Sequence, residues 1–147
     1  MAQQAAARKV VAEALGWRED EVHVSDLALT EDGGVCGAAR CEDGPVAYAF
    51  ALARIDDRLA LASLGCTSAP GESDHRIGPE ELLRSAETFA ARAYCRWTPD
   101  SMHLEFQHET RLSGRARWFE WEQVTAEGYY TGNSLSVVIR SDTGNVD

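Results

Sequence analysis

No run of apolar residues in this chain approaches the roughly 18–20 needed to span a bilayer, so the sequence predicts no membrane insertion. Lysine is nearly absent: thirteen of the fourteen basic residues are arginine, and Lys9 is the exception. Set against 24 Asp and Glu, this leaves a net charge of −10, spread along the chain rather than gathered in a tail. That balance speaks against nucleic acid, whose phosphates demand Lys and Arg, and against anionic membrane surfaces. It fits either a surface kept soluble by charge or an acidic face matched to a basic partner.

Other absences narrow the chemistry. The four cysteines, at 36, 41, 66 and 95, form no C-x-x-C pair, so zinc-ribbon and dithiol redox motifs are missing. Cys36 and Cys41 lie five apart on one predicted strand and face opposite sides of it. Buried free thiols are the plainer reading, and a disulfide stays open. No G-x-S-x-G elbow and no phosphate-binding loop occurs. The expectation is therefore no cofactor, no metal, no catalytic residue and no enzyme. Residues 1–9 carry neither an apolar signal core nor a cleavage site, which as written predicts a cytosolic chain.

What the chain does have is an internal echo. At an offset of eighty, Trp17 falls on Trp97, Asp20 on Asp100, His23 on His103, Thr30 on Thr110 and Gly34 on Gly114. Ala6 also meets Ala86, and Glu42 meets Glu122. Six residues further on the agreement resumes, Arg54 with Arg140 and Asp56 with Asp142, as if the second hairpin loop were longer in the second copy. A repeat of this kind sets the architecture before any single element does. With 147 residues, each half is near the size at which one core is marginal.

The elements follow the echo. Residues 2–15 read as an Ala-rich helix with a stripe of Ala7, Val10, Val11, Ala14 and Leu15, closed by Gly16. Strands are predicted at 22–30, 35–41, 46–54 and 59–64, with turns at Gly33-Gly34, Asp43-Gly44 and Asp56-Asp57. Val46, Tyr48, Phe50 and Leu52 share one face of the third. Residues 65–78 read as a linker, rich in Gly, Ser, Pro and Asp. A second helix opens at Pro79 with Glu80 and Glu81 and closes by Thr98-Pro99. Strands at 102–110 and 133–140 flank an aromatic one. A two-residue turn at Ser113-Gly114 would set Phe106 against Trp121 and His108 against Phe119. The expected core of this half is Phe106, Phe119, Trp121 and Leu135 against Leu82, Ala86, Phe89 and Ala93. The fold class is α+β: two tandem helix-on-antiparallel-meander modules, 1–64 and 79–147.

Residues that could carry chemistry are few. His23 and His103 are equivalent in the echo. His103 shares a strand face with Glu105, a spacing that suits a metal or an acid–base pair, but no third ligand converges on either. Both read as solvent-facing strand histidines, and His108 as a residue at the edge of the core. Cys95 pairs with a histidine only if the fold brings one to it. Trp118, Phe119, Trp121, Tyr129 and Tyr130 form the densest aromatic group. Alternation turns Phe119 and Trp121 inward and Trp118 outward with Glu120 and Glu122. Trp118, Tyr129 and Tyr130 are the candidate partner-binding residues, since Trp and Tyr supply most anchors at protein interfaces. The competing reading has them packed between the two halves.

Trp118-Phe119-Glu120-Trp121, followed by the stretch from Gly132 to Val146 with its Asp142-Thr143-Gly144 turn, resembles the PepSY-like domains. These are related to peptidase propeptides and are repeated in some bacterial cell-envelope proteins. The resemblance covers residues 80–147, and the first half through the echo. It implies a cystatin- or PepSY-like fold and a non-catalytic binding or regulatory module, linked to peptidase inhibition and found outside the cytoplasm. Two further classes stay open: a small acidic partner-binding protein of the secretion-chaperone or toxin-immunity type, and a small α+β hydrolase or isomerase. A protein or peptide is the expected partner in the first two.

Overall fold

The computed structural model describes residues 2–42, 44–94, 97–98 and 100–147. Three expectations fall on residues outside these: the Asp43 half of the Asp43-Gly44 turn, Cys95, and the stop signal at Pro99. The protein is α+β, with two α-helices and two antiparallel sheets among the described residues. Its order is α1 (Ala2–Leu15), β1 (Val22–Leu29), β2 (Val35–Cys41), β3 (Ala47–Ile55), β4 (Arg58–Ser68), α2 (Pro79–Ala93), β5 (Met102–Arg111), β6 (Arg115–Val124) and β7 (Tyr130–Arg140). The sheets run β1-β2-β3-β4 and β5-β6-β7. The chain divides into two compact units, one holding α1 and β1–β4, the other running from Gly71 through most of α2 to β5–β7.

In the first unit, local chemistry decides the helix end. Gly16 sits at φ +70°, and Trp17 N–H reaches back to the Ala12 carbonyl at 2.9 Å, closing α1 in a Schellman-type turn. Ala7, Val11 and Ala12 then pack with Val22, Val24, Ala39, Phe50 and Leu52. The small helix residues let the backbone lie close to the sheet. Tyr48 is buried too, with its ring 5.8 Å from Trp17. The predicted inward face of β3 is thus correct at Tyr48, Phe50 and Leu52. Val46 precedes the strand.

Gly34 precedes β2 where no side chain fits, because a Cβ there would collide with the Leu52 carbonyl oxygen of β3. Gly34→Ala is expected to cost about 1–3 kcal/mol, as overpacked sites do. Gly71→Ala, with open space around it, is the control. Urea unfolding of both variants checks this, and equal midpoints would contradict it.

The second unit departs from expectation in its register. Arg111 pairs directly with Arg115, so the β5–β6 turn spans Leu112, Ser113 and Gly114 instead of two residues. A bulge between Leu104 and Phe106 then moves the pairing by one more place. Leu104, not Phe106, opposes Trp121, and His108 opposes Trp118, not Phe119. A one-residue change of register turns every later side chain to the other face. Phe106 is therefore 41% exposed and leaves the core assigned to it. Phe119, Trp121, Val137, Ile139, Leu82 and Ala86 are buried as a core requires, while Leu135, Phe89 and Ala93 are only partly covered. Trp97 meets Trp121 edge-on at 5.4 Å.

Two other expectations are corrected. Residues 65–68, read as linker, complete β4, and Ser68 pairs with Ala47. Small and turn-forming residues there hide a strand whose ladder continues regardless of side chains. The second hairpin loop is not the longer one. Both connections, 42–46 and 125–129, have the same length, and the extra residues lie in β6 and β7.

Candidate functional site

Strand alternation divides the β5–β7 sheet into two faces. Phe119, Trp121, Val137 and Ile139 share the buried one. Phe106, His108, Trp118, Glu120 and Ser136 share the other, which we call the outer face. The three-residue β5–β6 turn sets a run of rings together there. Phe106 stacks on His108 with centroids 5.4 Å apart and planes within 20°, and His108 stacks on Trp118 at 5.7 Å and 24°. Phe106 and His108 are exposed and Trp118 is half-buried. The Trp118 indole Nε1 is itself covered and has no hydrogen-bond partner among the described residues. An unmet buried donor costs roughly 1–3 kcal/mol.

The β6–β7 loop extends the aromatic surface. Tyr129 carbonyl accepts from Thr125 N–H at 2.8 Å, and Gly128, at φ +88°, donates to the Thr125 carbonyl at 2.9 Å. Asn133 Nδ2 holds Gln123 Oε1 at 2.9 Å across the base. This closed turn displays Tyr129 and Tyr130, 72% and 61% exposed. A hydrogen bond to Glu105, reinforced by the negative charges of Glu105 and Glu122, holds the Tyr130 phenol above its ordinary pKa. Ser136 Oγ donates to Glu120 Oε1 at 2.9 Å. The outer face thus combines the rings of Phe106, His108, Trp118 and Tyr130 with the carboxylates of Glu120, Glu122 and the Tyr130-bonded Glu105. Tyr129 stands exposed in the adjoining turn.

Each candidate residue can now be placed. Trp118 faces outward, as alternation predicted, and Tyr129 and Tyr130 are displayed beside the same hairpin. His108 joins the outer stack instead of the core edge. His23 lies 3.9 Å from Glu42, and His103 is the cross-strand partner of Glu122, so each histidine stands beside the echo-equivalent glutamate. Among the described residues no group of three or more His, Cys, Asp or Glu could hold a metal ion. Cys36 and Cys41 are free thiols, and the Cys66 thiol donates to the Ser68 carbonyl at 3.3 Å.

One buried polar cluster braces this unit. Arg140 and Asp142, each with a side chain only 2% exposed, pair through Nη2–Oδ2 at 2.6 Å and Nε–Oδ1 at 2.8 Å. Ser73 N–H adds a bond to Asp142 Oδ2 at 3.0 Å. The bonds from Arg140 and Ser73 hold the Asp142 pKa at about 2, against the desolvation that would raise it. Gly114 leaves room for the guanidinium, which would lie 3.3 Å from a Cβ at that position. The echo had marked Arg140, Asp142 and Gly114, but as matched letters and not as one cluster.

Sequence reading missed three further arginines of this unit, Arg111, Arg115 and Arg117. The available signal was their placement at alternate positions around the Ser113-Gly114 turn. No protein-family model, no curated protein and no solved structure matches this chain.

Proposed function

We propose that this chain is a non-catalytic binding module whose contact surface is the outer face of β5–β7, and that its partner is a positively charged segment of another protein. The observation that carries this reading is the stack of exposed Phe106 and His108 on half-buried Trp118, with exposed Tyr129 and Tyr130 beside it, among Glu105, Glu120 and Glu122. Large rings in contact with solvent cost solubility unless they serve a contact. Carboxylates interspersed with them select cations, since Arg and Lys gain both ion pairing and a place over a ring face. The net charge of −10 adds long-range attraction for the same partner.

The finer architecture belongs to this proposal: one helix-and-meander unit built twice, similar to the PepSY-like domains. The common order of a helix then antiparallel strands supports it. So do first strands that each carry a register shift, and the paired histidines and glutamates. Among the described residues of the second unit, β4 is matched only by an isolated antiparallel bridge between Ile139 and Val146. On this reading the module regulates a peptidase at the cell envelope, as the resemblance implies. The secretion-chaperone or toxin-immunity reading uses the same surface and differs only in the partner.

Peptide display against the full chain tests the surface. Selected peptides are expected to be rich in Arg and Lys and to lose at least tenfold in affinity for a Trp118→Ala, Tyr130→Ala variant, as truncated interface anchors do. Enrichment of acidic peptides, or equal binding to wild type and variant, would overturn the proposal.

A further inference from the structure

The end of the β5–β6 hairpin carries a feature of opposite sign. Arg111 and Arg115 are direct cross-strand partners, and Arg117 stands opposite Glu109. Like charges directly opposed across a ladder destabilise it unless something neutralises them. Glu72 does so in part: Oε2 accepts from Arg111 Nη1 at 3.1 Å, and Oε1 accepts the backbone N–H of Arg115 at 2.8 Å. Both carboxylate oxygens are then used, and these bonds hold its pKa below the usual range. The Arg115 guanidinium pairs with no carboxylate among the described residues. Arg117 Nε bonds the neutral Gln107 Oε1 at 2.8 Å, not Glu109.

These arginines, with Arg76 beyond them, line an open cleft of about 600 Å³ whose apolar wall includes Ile77 and Leu82. The volume falls within the roughly 300–1,000 Å³ of ordinary ligand sites. Four of the fourteen basic residues of an acidic chain meet here. A guanidinium fork matches a phosphate or carboxylate in two parallel hydrogen bonds. The apolar wall favours a ligand with a hydrophobic body over a bare ion.

We infer that this cleft binds a small organic anion, its phosphate or carboxylate group held by Arg115 and Arg117 and its apolar body lying against Ile77 and Leu82. By strand parity Arg117 points away from the face that carries Trp118, so this site stands apart from the aromatic surface and its failure would leave that reading intact.

Calorimetric titration of the full chain at low ionic strength tests the inference with phenyl phosphate in one arm and benzoate in the other. Inorganic phosphate is the bare-ion comparison. Saturable binding of an aromatic probe, tighter than inorganic phosphate, is expected, and the tighter arm names the anionic group. Arg115→Gln with Arg117→Gln should weaken binding at least tenfold, while Arg40→Gln, outside the cleft, should leave it within twofold. If the double variant fails to unfold cooperatively, Arg115→Lys with Arg117→Lys replaces it. Keeping the charge but losing the fork, it should weaken binding severalfold. Methyl resonances of Ile77 and Leu82 should shift on saturation. Absence of saturable binding, equal affinity in wild type and the arginine variants, or tighter binding of inorganic phosphate would overturn the site.

Discussion

Replacing Asp142 by alanine is expected to destabilise the second unit by about 3–5 kcal/mol, the range for removing one partner of a buried ion pair. The loss is large because Arg140 stays behind, buried, without the carboxylate that accepts from both its Nε and its Nη2. Ser73 N–H loses its acceptor at the same time. Replacing both Arg140 and Asp142 with apolar residues of similar volume should cost much less than the single change, since no orphaned charge remains. Denaturant unfolding of the single and paired variants measures this, and equal losses would show that the pair is not what the site depends on. The pair also sets a pH response. The Asp142 pKa is about 2 in the folded chain against a reference of 3.8, so folding disfavours its protonation. Its stabilising contribution is complete above pH 3.8 and is lost as pH falls through about 2. Asp142→Asn should flatten the stability profile in that window, and an unchanged slope would contradict the assignment.

Trp121→Ala is the second large effect. The ring is 3% exposed, packs on Phe119 at 5.9 Å and meets Trp97 edge-on, so truncation removes apolar burial and two aromatic contacts together. Losses of about 3–5 kcal/mol follow such truncations in cores, comparable with the whole stability of a small domain. The β5–β7 unit should unfold in the variant, with Trp97 fluorescence moving to that of a solvated indole. Phe106→Ala, on the outer face, should change the midpoint little. Equal effects at the two positions would mean that the faces of β5 have been assigned the wrong way round.

That contrast marks where the sequence was legible. Alternation placed Tyr48, Phe50 and Leu52 inward, and Phe119 and Trp121 likewise, because those strands keep their period through the buried stretch. It failed along β5, where one extra turn residue and a bulge each move the register and neither has a letter of its own. Leu112 was left outside the Ser113-Gly114 turn, and Glu105 was read as an ordinary residue on the His103 face. The partner-binding candidates were legible at Trp118 because β6 is regular there. Phe106 and His108 were assigned to the buried face because a two-residue turn was assumed, and the three-residue turn sets them opposite Glu120 and Trp118. The arginine cleft was harder still: Arg76 comes from a segment read as linker, and only three-dimensional pairing sets Arg111 against Arg115.

The most direct test of the account is residue-resolved NMR of the full chain titrated with a short Arg-rich peptide. The outer-face reading predicts saturable shifts at the Trp118 indole, His108, Tyr130 and the Glu105 and Glu122 amides, with β1–β4 unmoved. Shifts confined to β1–β4, or none at saturating peptide, would contradict it.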